Sequence, residues 1–219
     1  AMETAGGAAI AGARSFCGMK HVGLNVAADP LFTLSYTGVN AGMVIVVADD
    51  PGMHSSQNEQ DSRNYAKASK IPMLEPADSQ ECLSFTKLAY DISERYDTPV
   101  IIRLTTRISH SRSLVEVGER VDNGLKEYVK DTQKYVMMPA MAKKKHVIVE
   151  ERTKALTAWG ESEAIDLGVN KIEYNDKKIG IITGGIAYQY AKEALGDKAS
   201  YLKLGCLYPL PEKLLRDFA

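Results

Sequence analysis

The sequence from Ala41 to Arg63 reads AGMVIVVADDPGMHSSQNEQDSR, and this stretch decides the fold. Its apolar, largely β-branched run from Met43 to Ala48 is typical of a strand buried on both faces, as in a parallel sheet. Pro51 and Gly52 then predict a sharp turn. Open α/β sheets bind ligands beyond the carboxyl ends of such strands. The polar residues after the turn are therefore either a binding loop or a solvated surface loop.

Composition excludes several classes of function. A chain of 219 residues suits one large domain or two smaller ones. Its formal net charge of -1 gives no reason to expect a nucleic-acid partner, and no apolar run is long enough to suggest a membrane span. Three scattered cysteines without a C-x-x-C pair argue against an iron–sulfur site or a zinc knuckle within this chain. Reduced thiols of this kind are typical of a cytoplasmic protein.

Strand and helix patterns alternate around the central stretch. A short strand is expected from Phe16 to Met19 and a second buried strand from Val100 to Leu104. Between the central strand and the latter, Asp78 or Ser79 precedes an amphipathic helix that ends near Tyr96. This alternation predicts an α/β fold with a parallel sheet and right-handed crossovers.

The N-terminal third contains two further helical patterns. Met2 to Phe16 is rich in small residues, which suits either a plain core helix or a helix at a subunit or cofactor interface. Lys20 to Asn25 is expected to be a loop. A helix capped by Asn25 or Asp29 should follow it and end at Gly38.

The segment from Leu114 to Asp176 is charged and shows no convincing buried strand. It is interpreted as a linker with one helix of its own, running from about Met137 to Gly160. The lysine run from Lys143 to Lys145 suggests nucleic-acid binding, but nearby glutamates make a solvated helix face the better interpretation.

A second α/β unit begins at Lys178. A buried strand is expected from Ile179 to Thr183, a helix ending at Gly196, a strand from Tyr201 to Gly205 and a final helix from Glu212 to Phe218. Two strands cannot cover themselves, so this unit either continues elsewhere or docks on the first unit. The Gly184-Gly185 turn is only weak evidence for a phosphate site.

Six motifs, in this order, resemble the alpha subunits of indolepyruvate:ferredoxin oxidoreductases, which are thiamine-diphosphate-dependent 2-oxoacid:ferredoxin oxidoreductases. The motifs are MKHVGLNVAADPL, VIVVADDPGMHSSQNEQDSR, KIPMLEP, TPVIIRLTTRISHSR, GIITGGIAYQYAKEALG and LKLGCLYPLPEKLLRDFA. The resemblance implies three parts: an N-terminally truncated pyrimidine-binding-type domain (residues 2–113), a charged linker (114–177) and the start of a transketolase C-terminal-like α/β domain (178–219).

The resemblance also implies site residues. On the cofactor side these are Lys20, His21, Gly23 and Asn25. On the substrate side they are His54, Ser55, Ser56, Gln60, Arg63 and Thr106. An arginine suits a 2-oxoacid carboxylate because it can donate two parallel hydrogen bonds. Taken alone, a single histidine is more often structural than catalytic. We expect His21, His54 and Arg63 to converge on one cleft at the carboxyl ends of the strands, with Thr105, Thr106 and Arg107 beside them.

The parent enzyme implied by the resemblance converts indolepyruvate or another aryl pyruvate and coenzyme A to an acyl-CoA, with electrons passing to ferredoxin. It uses thiamine diphosphate, Mg and iron–sulfur clusters, and it has a beta subunit and a homo-oligomeric assembly. The glutamate that activates the cofactor lies, in relatives, before the position matching Ala1, and Glu3 does not match it. The chain is therefore expected to be an internal fragment or a truncated gene product, inactive alone and without a stably bound cofactor. The alternative is a non-catalytic α/β binding or assembly module.

Overall fold

The computed structural model describes all 219 residues. Its strands are β1 (Ser15–Lys20), β2 (Met43–Asp49), β3 (Met73–Leu74), β4 (Val100–Thr105), β5 (Lys171–Glu173), β6 (Gly180–Gly184), β7 (Ser200–Leu204) and β8 (Cys206–Tyr208). Its helices are α1 (Met2–Ile10), α2 (His21–Val26), α3 (Ala28–Thr37), α4 (Ser62–Ser69), α5 (Ser79–Tyr96), α6 (Thr106–His110), α7 (Thr132–Tyr135), α8 (Pro139–Gly160), α9 (Glu163–Asp166), α10 (Ile186–Leu195) and α11 (Glu212–Phe218). None of the helices has both the length and the apolar character needed to cross a bilayer.

The main sheet has five strands in the order β1-β2-β4-β3-β8. Its first four strands are parallel, and β8 pairs with β3 in the antiparallel sense. The predicted buried strands at Met43–Ala48 and Val100–Leu104 are confirmed as the central pair. Because β2 and β4 are covered on both faces, nearly all of their residues are buried, as the continuous apolar runs predict.

Helices cover both faces of this sheet. Ile45 and Ile101 pack with Leu31 and Leu34 of α3 on one face. The alternate strand residues, including Val44 and Ile102, pack with α5 and α8 on the other. Such alternation follows from the two-residue period of a strand. The predicted helix from Ser79 to Tyr96 is confirmed, and the Asp78 side chain caps it by accepting a hydrogen bond from the Glu81 amide at 2.8 Å.

The small residues of α1 allow close packing inside the chain. A side chain at Gly6 would place its Cβ 2.9 Å from Leu34 Cδ2, which is closer than real contacts allow. Ala5 and Ala9 share this buried face. Close approach to α3 thus accounts for one face of the helix. Whether its exposed face, which includes Glu3 and Gly7, meets a partner stays a prediction.

Several predictions for short elements are wrong. The predicted loop from Lys20 to Asn25 is the helix α2, because His21 and Leu24, one turn apart, are both buried. Neither Asn25 nor Asp29 caps α3. That helix begins at Ala28, so Asp29 lies in its first turn, where a carboxylate still complements the helix dipole. Its predicted end at Gly38 is confirmed.

The charged segment contains more structure than its sequence predicts. Helix α8 begins at Pro139, close to the predicted start, and Arg152 holds it against the first unit by donating to the backbone oxygens of Ser35 (2.6 Å) and Asp97 (2.9 Å). The segment also contains a strand, β5, which pairs with β7 and is partly exposed rather than buried. Sequence spacing gives no sign of β5, which is only three residues long and partly exposed.

The C-terminal residues form a second sheet and also dock on the first. The order of the second sheet is β5-β7-β6, which makes β7 the central strand and β6 an edge. The prediction that β6 is buried is wrong: none of its residues is fully buried, and Ile182 is 44% exposed on this edge strand. Docking occurs through β8 in the main sheet and through an ion pair between buried Lys203 and Glu81 of α5.

Candidate functional site at the carboxyl edge of the main sheet

Three neighbouring parallel strands bring their following residues to one edge. The register pairs Lys20 of β1 with Ala48 of β2, and Asp49 of β2 with Thr105 of β4. Because these strands share a direction, α2, the loop after β2 and α6 all begin at the same edge of the sheet. This is where the sequence places most of its candidate site residues.

The loop from Asp50 to Asp61 is fastened to the end of β1. Lys20 Nζ donates a hydrogen bond of 2.7 Å to the Ser55 backbone oxygen. His21, which is 1% exposed, has its Nε2 3.2 Å from the Asn58 backbone oxygen. A carbonyl oxygen can only accept, so Nε2 carries a hydrogen. Both residues from the predicted cofactor side thus hold the predicted substrate-side loop in place.

Asp50 organises the first half of this loop. Its carboxylate accepts hydrogen bonds from the backbone amides of His54 (3.1 Å) and Ser55 (2.8 Å), from Ser56 Oγ (2.6 Å) and from Thr106 Oγ1 (2.7 Å). These bonds, led by that from Ser56, hold the pKa of Asp50 well below its usual range. The polar atoms of four predicted substrate-side residues therefore converge on one carboxylate, and only the imidazole of His54 remains unengaged.

A buried ion cluster lies beneath the loop. Arg103 donates from Nε to Asp49 Oδ2 and from Nη1 to Glu75 Oε2, both at 2.7 Å. Ser62 adds its amide and hydroxyl to the same Asp49 oxygen. Burial lowers the pKa of Arg103, but the carboxylates of Glu75 and Asp49 outweigh it and raise that pKa above its ordinary value.

This cluster is not among the site residues predicted from the sequence. The available signal was an arginine within the apolar run from Val100 to Leu104, together with an acidic pair at the end of the neighbouring strand. Charges in such runs are rarely fully buried unless they are paired.

Three buried polar atoms at the ends of β1, β2 and β4 have no hydrogen-bond partner: His21 Nδ1, Asp49 Oδ1 and Thr105 Oγ1; Gln60 Oε1, in the loop after β2, is a fourth at this edge. Asp49 and Thr105 are register partners, and His21 follows Lys20, so the three occupy one row across β1, β2 and β4. We call these three residues the polar row. Unpartnered buried polar atoms cost free energy and call for an explanation. A group with hydrogens to donate, such as the amino group of an aminopyrimidine, fits this set of atoms chemically.

Some predicted site residues lie elsewhere. Gly23 faces Met19, whose Cβ would be 3.0 Å from an added Cβ. Asn25 Oδ1 accepts a hydrogen bond of 2.6 Å from the Tyr65 hydroxyl. Gln60 donates to Asn58 Oδ1 at 2.9 Å, within the loop itself. None of these three contacts belongs to the group around Asp50.

Arg63 also departs from the expected cleft. It pairs with Asp61, with Nη2 2.8 Å from Oδ2. Both residues line a cleft of about 720 Å³ between α4, α8 and the C-terminal unit, which Thr183 and Tyr208 also line. His21 and His54 do not line this cleft, so the expected convergence of all three residues on one cleft is wrong. Because Arg63 lies in the first turn of α4, its side chain is directed by that helix rather than by the loop.

The residues do not fit a metal ion or an iron–sulfur cluster. No group of three or more His, Cys, Asp or Glu side chains is placed to hold a metal. Cys17 and Cys206 are separately buried in the core, and burial raises the pKa of both thiols.

Comparison with known proteins identifies the family. The family model described as "Pyruvate flavodoxin/ferredoxin oxidoreductase, thiamine diP-bdg" matches residues 1–176. Indolepyruvate oxidoreductase subunit IorA of Methanothermobacter thermautotrophicus is 44% identical over 222 residues, and that of Pyrococcus abyssi is 45% identical over 229. The matches cover all of this chain but 36% and 35% of those relatives, so the chain spans about a third of their length.

Solved structures show the same fold. The chain is similar to the 2-oxoglutarate:ferredoxin oxidoreductase of Magnetococcus marinus, with a TM-score of 0.70 and 14% identity over 99% of this chain and 46% of that one. It is also similar to a split-gene transketolase, with a TM-score of 0.56 and 17% identity over 100% of this chain and 58% of that one. The predicted pyrimidine-binding-type thiamine diphosphate fold is confirmed. The chain belongs to the pyruvate flavodoxin/ferredoxin oxidoreductase family, in its thiamine-diphosphate-binding part.

Proposed function

We propose that this chain supplies the aminopyrimidine side of a thiamine diphosphate site in a 2-oxoacid:ferredoxin oxidoreductase that acts on indolepyruvate or another aryl pyruvate. The observation that carries the proposal is the family match over residues 1–176, which includes the whole carboxyl edge. The identity of 43–45% to IorA subunits supports the aryl pyruvate.

Thiamine diphosphate, when bound, supplies the carbon nucleophile and the electron sink for oxidative decarboxylation. The residues of this chain provide its binding surface. Lys20 and His21 fix the loop after β2, and Arg103 fixes the carboxylates beneath it. The polar row offers two hydrogen-bond acceptors and one hydroxyl to the hydrogens of the aminopyrimidine amino group. Because these three atoms are buried in the structure, the aminopyrimidine would reach them only if the edge moves on binding.

The proposal assigns residues 2–113 to a truncated pyrimidine-binding-type domain, 114–177 to a linker and 178–219 to the start of a transketolase C-terminal-like domain. Mg and the iron–sulfur clusters would be held outside this chain. Coenzyme A, ferredoxin, a beta subunit and a second copy of the parent subunit would be partners of the complete cytoplasmic enzyme.

An anaerobic assay tests whether the chain is inactive without the rest of the parent enzyme. The chain alone, given indolepyruvate, coenzyme A, thiamine diphosphate, Mg and ferredoxin, should give no turnover, because it spans only about a third of its relatives' length and the proposal places Mg and the iron–sulfur clusters outside it. Turnover well above a no-protein control would contradict this.

A binding measurement separates the proposal from a non-catalytic module with the same fold. Thiamine added to the chain should shift the ring ¹⁵N resonances of His21, and Thr105→Val should weaken that response. If thiamine at tens of millimolar shifts the His21 resonances neither in the unchanged chain nor in Thr105→Val, the non-catalytic module is favoured.

A further inference from the structure

A second polar pocket opens at the carboxyl edge, beside the loop after β2. It encloses about 320 Å³ and has no apolar residue in its wall. Its lining consists of His54, Thr106, Arg107, His110 and Ser111. We call it the cationic pocket. The unpartnered atoms of the polar row are not part of its lining.

Two features of the chain bring these side chains together. Arg107 and His110 are three residues apart on α6, so they lie on the same side of the helix. Asp50 fixes the opposite wall, because it binds both the Thr106 hydroxyl and the His54 amide. The pocket is therefore formed where the loop after β2 meets α6.

Only the basic side chains of the pocket have hydrogens to donate. The Thr106 hydroxyl donates to Asp50 (2.7 Å), and the Ser111 hydroxyl donates to the Ile108 backbone oxygen (2.8 Å). The rings of His54 and His110 and the guanidinium of Arg107 take part in none of the hydrogen bonds or ion pairs of the structure. Of the other arginines, Arg14, Arg63, Arg95 and Arg103 are paired, while the exposed Arg112 and Arg120 are likewise without a partner. The pocket thus offers three donor groups that have no partner within the protein.

No carboxylate lines the pocket. The acid bonded to its wall is Asp50, whose oxygens already accept four hydrogen bonds from its own loop and from α6. With those contacts made, Asp50 forms no ion pair with Arg107, although its carboxylate keeps its negative charge behind the pocket wall. A ligand or solvent ions would provide the direct partner that Arg107 lacks.

We infer that the cationic pocket binds a phosphate group, with Arg107 as the main donor between His54 and His110. A planar guanidinium donates two parallel hydrogen bonds to phosphate oxygens, and the imidazoles add directional donors from either side. A phosphate group presents more acceptor oxygens to these three donors than a carboxylate does. This goes beyond the proposed function, in which no ligand is assigned to Arg107 or His110, and it does not depend on thiamine diphosphate binding.

The test is a titration of the full chain with inorganic phosphate at low ionic strength, followed by calorimetry and by the imidazole NMR signals. Phosphate should shift the His54 and His110 signals together, and Arg107→Gln should weaken binding by at least about tenfold, as expected for loss of a charge-assisted bidentate contact. The matched control is Arg112→Gln, an exposed arginine outside the pocket, which should bind phosphate as the unchanged chain does. Circular dichroism checks that both variants fold.

A second arm replaces phosphate with pyruvate, which carries the carboxylate of a 2-oxoacid. Weaker binding of pyruvate than of phosphate is expected. Equal or tighter pyruvate binding, equal phosphate affinity in Arg107→Gln, or no phosphate binding in the millimolar range would each overturn the proposal. Failure of the thiamine experiment at His21 would leave this result unchanged, because the two experiments report on different residues.

Discussion

Arg103 and Asp49 form an ion pair of 2.7 Å in which the arginine side chain is 6% exposed and the aspartate side chain 1%. The same guanidinium binds Glu75 at 2.7 Å. One cation thus serves two buried carboxylates from neighbouring strands, so the fold at the carboxyl edge depends on this arginine more than on any exposed pair.

Replacing Arg103 with leucine should destabilise the chain strongly. The change would leave two carboxylates buried without their cation, and breaking a buried pair from one side costs roughly 3–5 kcal/mol. Urea unfolding followed by circular dichroism measures the free energy of unfolding.

The control for this change is Arg95→Leu, which removes an exposed pair with Glu163. It should alter stability little, because solvent screens exposed pairs. Equal stability of the Arg103 variant and the unchanged protein would show that the cluster does not support the fold.

The strands and helices that could be predicted are those whose signal lies within a short stretch of sequence. The run from Met43 to Ala48 predicts a buried parallel strand, and Asp78 predicts a helix start, because both patterns are local. The cluster around Arg103 is not local: its partner Asp49 lies 54 residues away. No periodicity connects two such charges, and only the strand register brings them together.

Burial at the edges of the sheets also could not be predicted from the sequence. Ile181 and Ile182 resemble core residues by composition, yet neither is fully buried: Ile181 packs only partly against a small cluster with Tyr188 of α10, and Ile182 is 44% exposed on this edge strand. Conversely, the loop predicted at Lys20 to Asn25 is a helix because tertiary packing buries His21 and Leu24. Tertiary contacts override local propensity in both cases.

The adjacent threonines at the end of β4 should respond oppositely to substitution by valine. Thr105 buries a hydroxyl without a partner, and such a group costs about 1–3 kcal/mol, so Thr105→Val should leave stability unchanged or raise it by up to that amount. Thr106→Val removes the hydrogen bond to Asp50 and should destabilise the loop after β2. Thermal unfolding of both variants gives the signs, and destabilisation by Thr105→Val would mean that its hydroxyl has a partner in solution.

Glu94 should make the stability of the chain sensitive to acid. Burial raises the pKa of Glu94, but hydrogen bonds from Arg14, Lys126 and the Gly42 amide outweigh it and lower the pKa to about 2 from an ordinary 4.5. A pKa depressed in the folded state adds stability above the unfolded value, and this stability is lost as pH falls from about 4.5 towards 2.

Denaturant unfolding of Glu94→Gln across this pH range measures the effect. The variant should be less stable than the unchanged protein near pH 7, and the difference should shrink as the pH falls. The exposed Glu119 has no hydrogen-bond partner among the contacts of the structure, so Glu119→Gln should follow the pH profile of the unchanged protein. A difference that stays constant from pH 7 to pH 2 would contradict the depressed pKa of Glu94.

The chain should self-associate through the open edge of the second sheet. Strand β6 pairs only with β7, so its other side presents unpaired backbone groups, and Ile179 and Ile182 beside them are 45% and 44% exposed. An apolar, unpaired edge is a template for pairing with another chain, and a lysine on such an edge suppresses that pairing. Ile182→Lys should therefore shift the sedimentation profile towards monomer.

The same change at Val147, an exposed position on α8, introduces equal charge away from the edge and should leave self-association intact. A monomer at all practical concentrations of the unchanged chain, or equal loss of association in both variants, would show that β6 is not the contact.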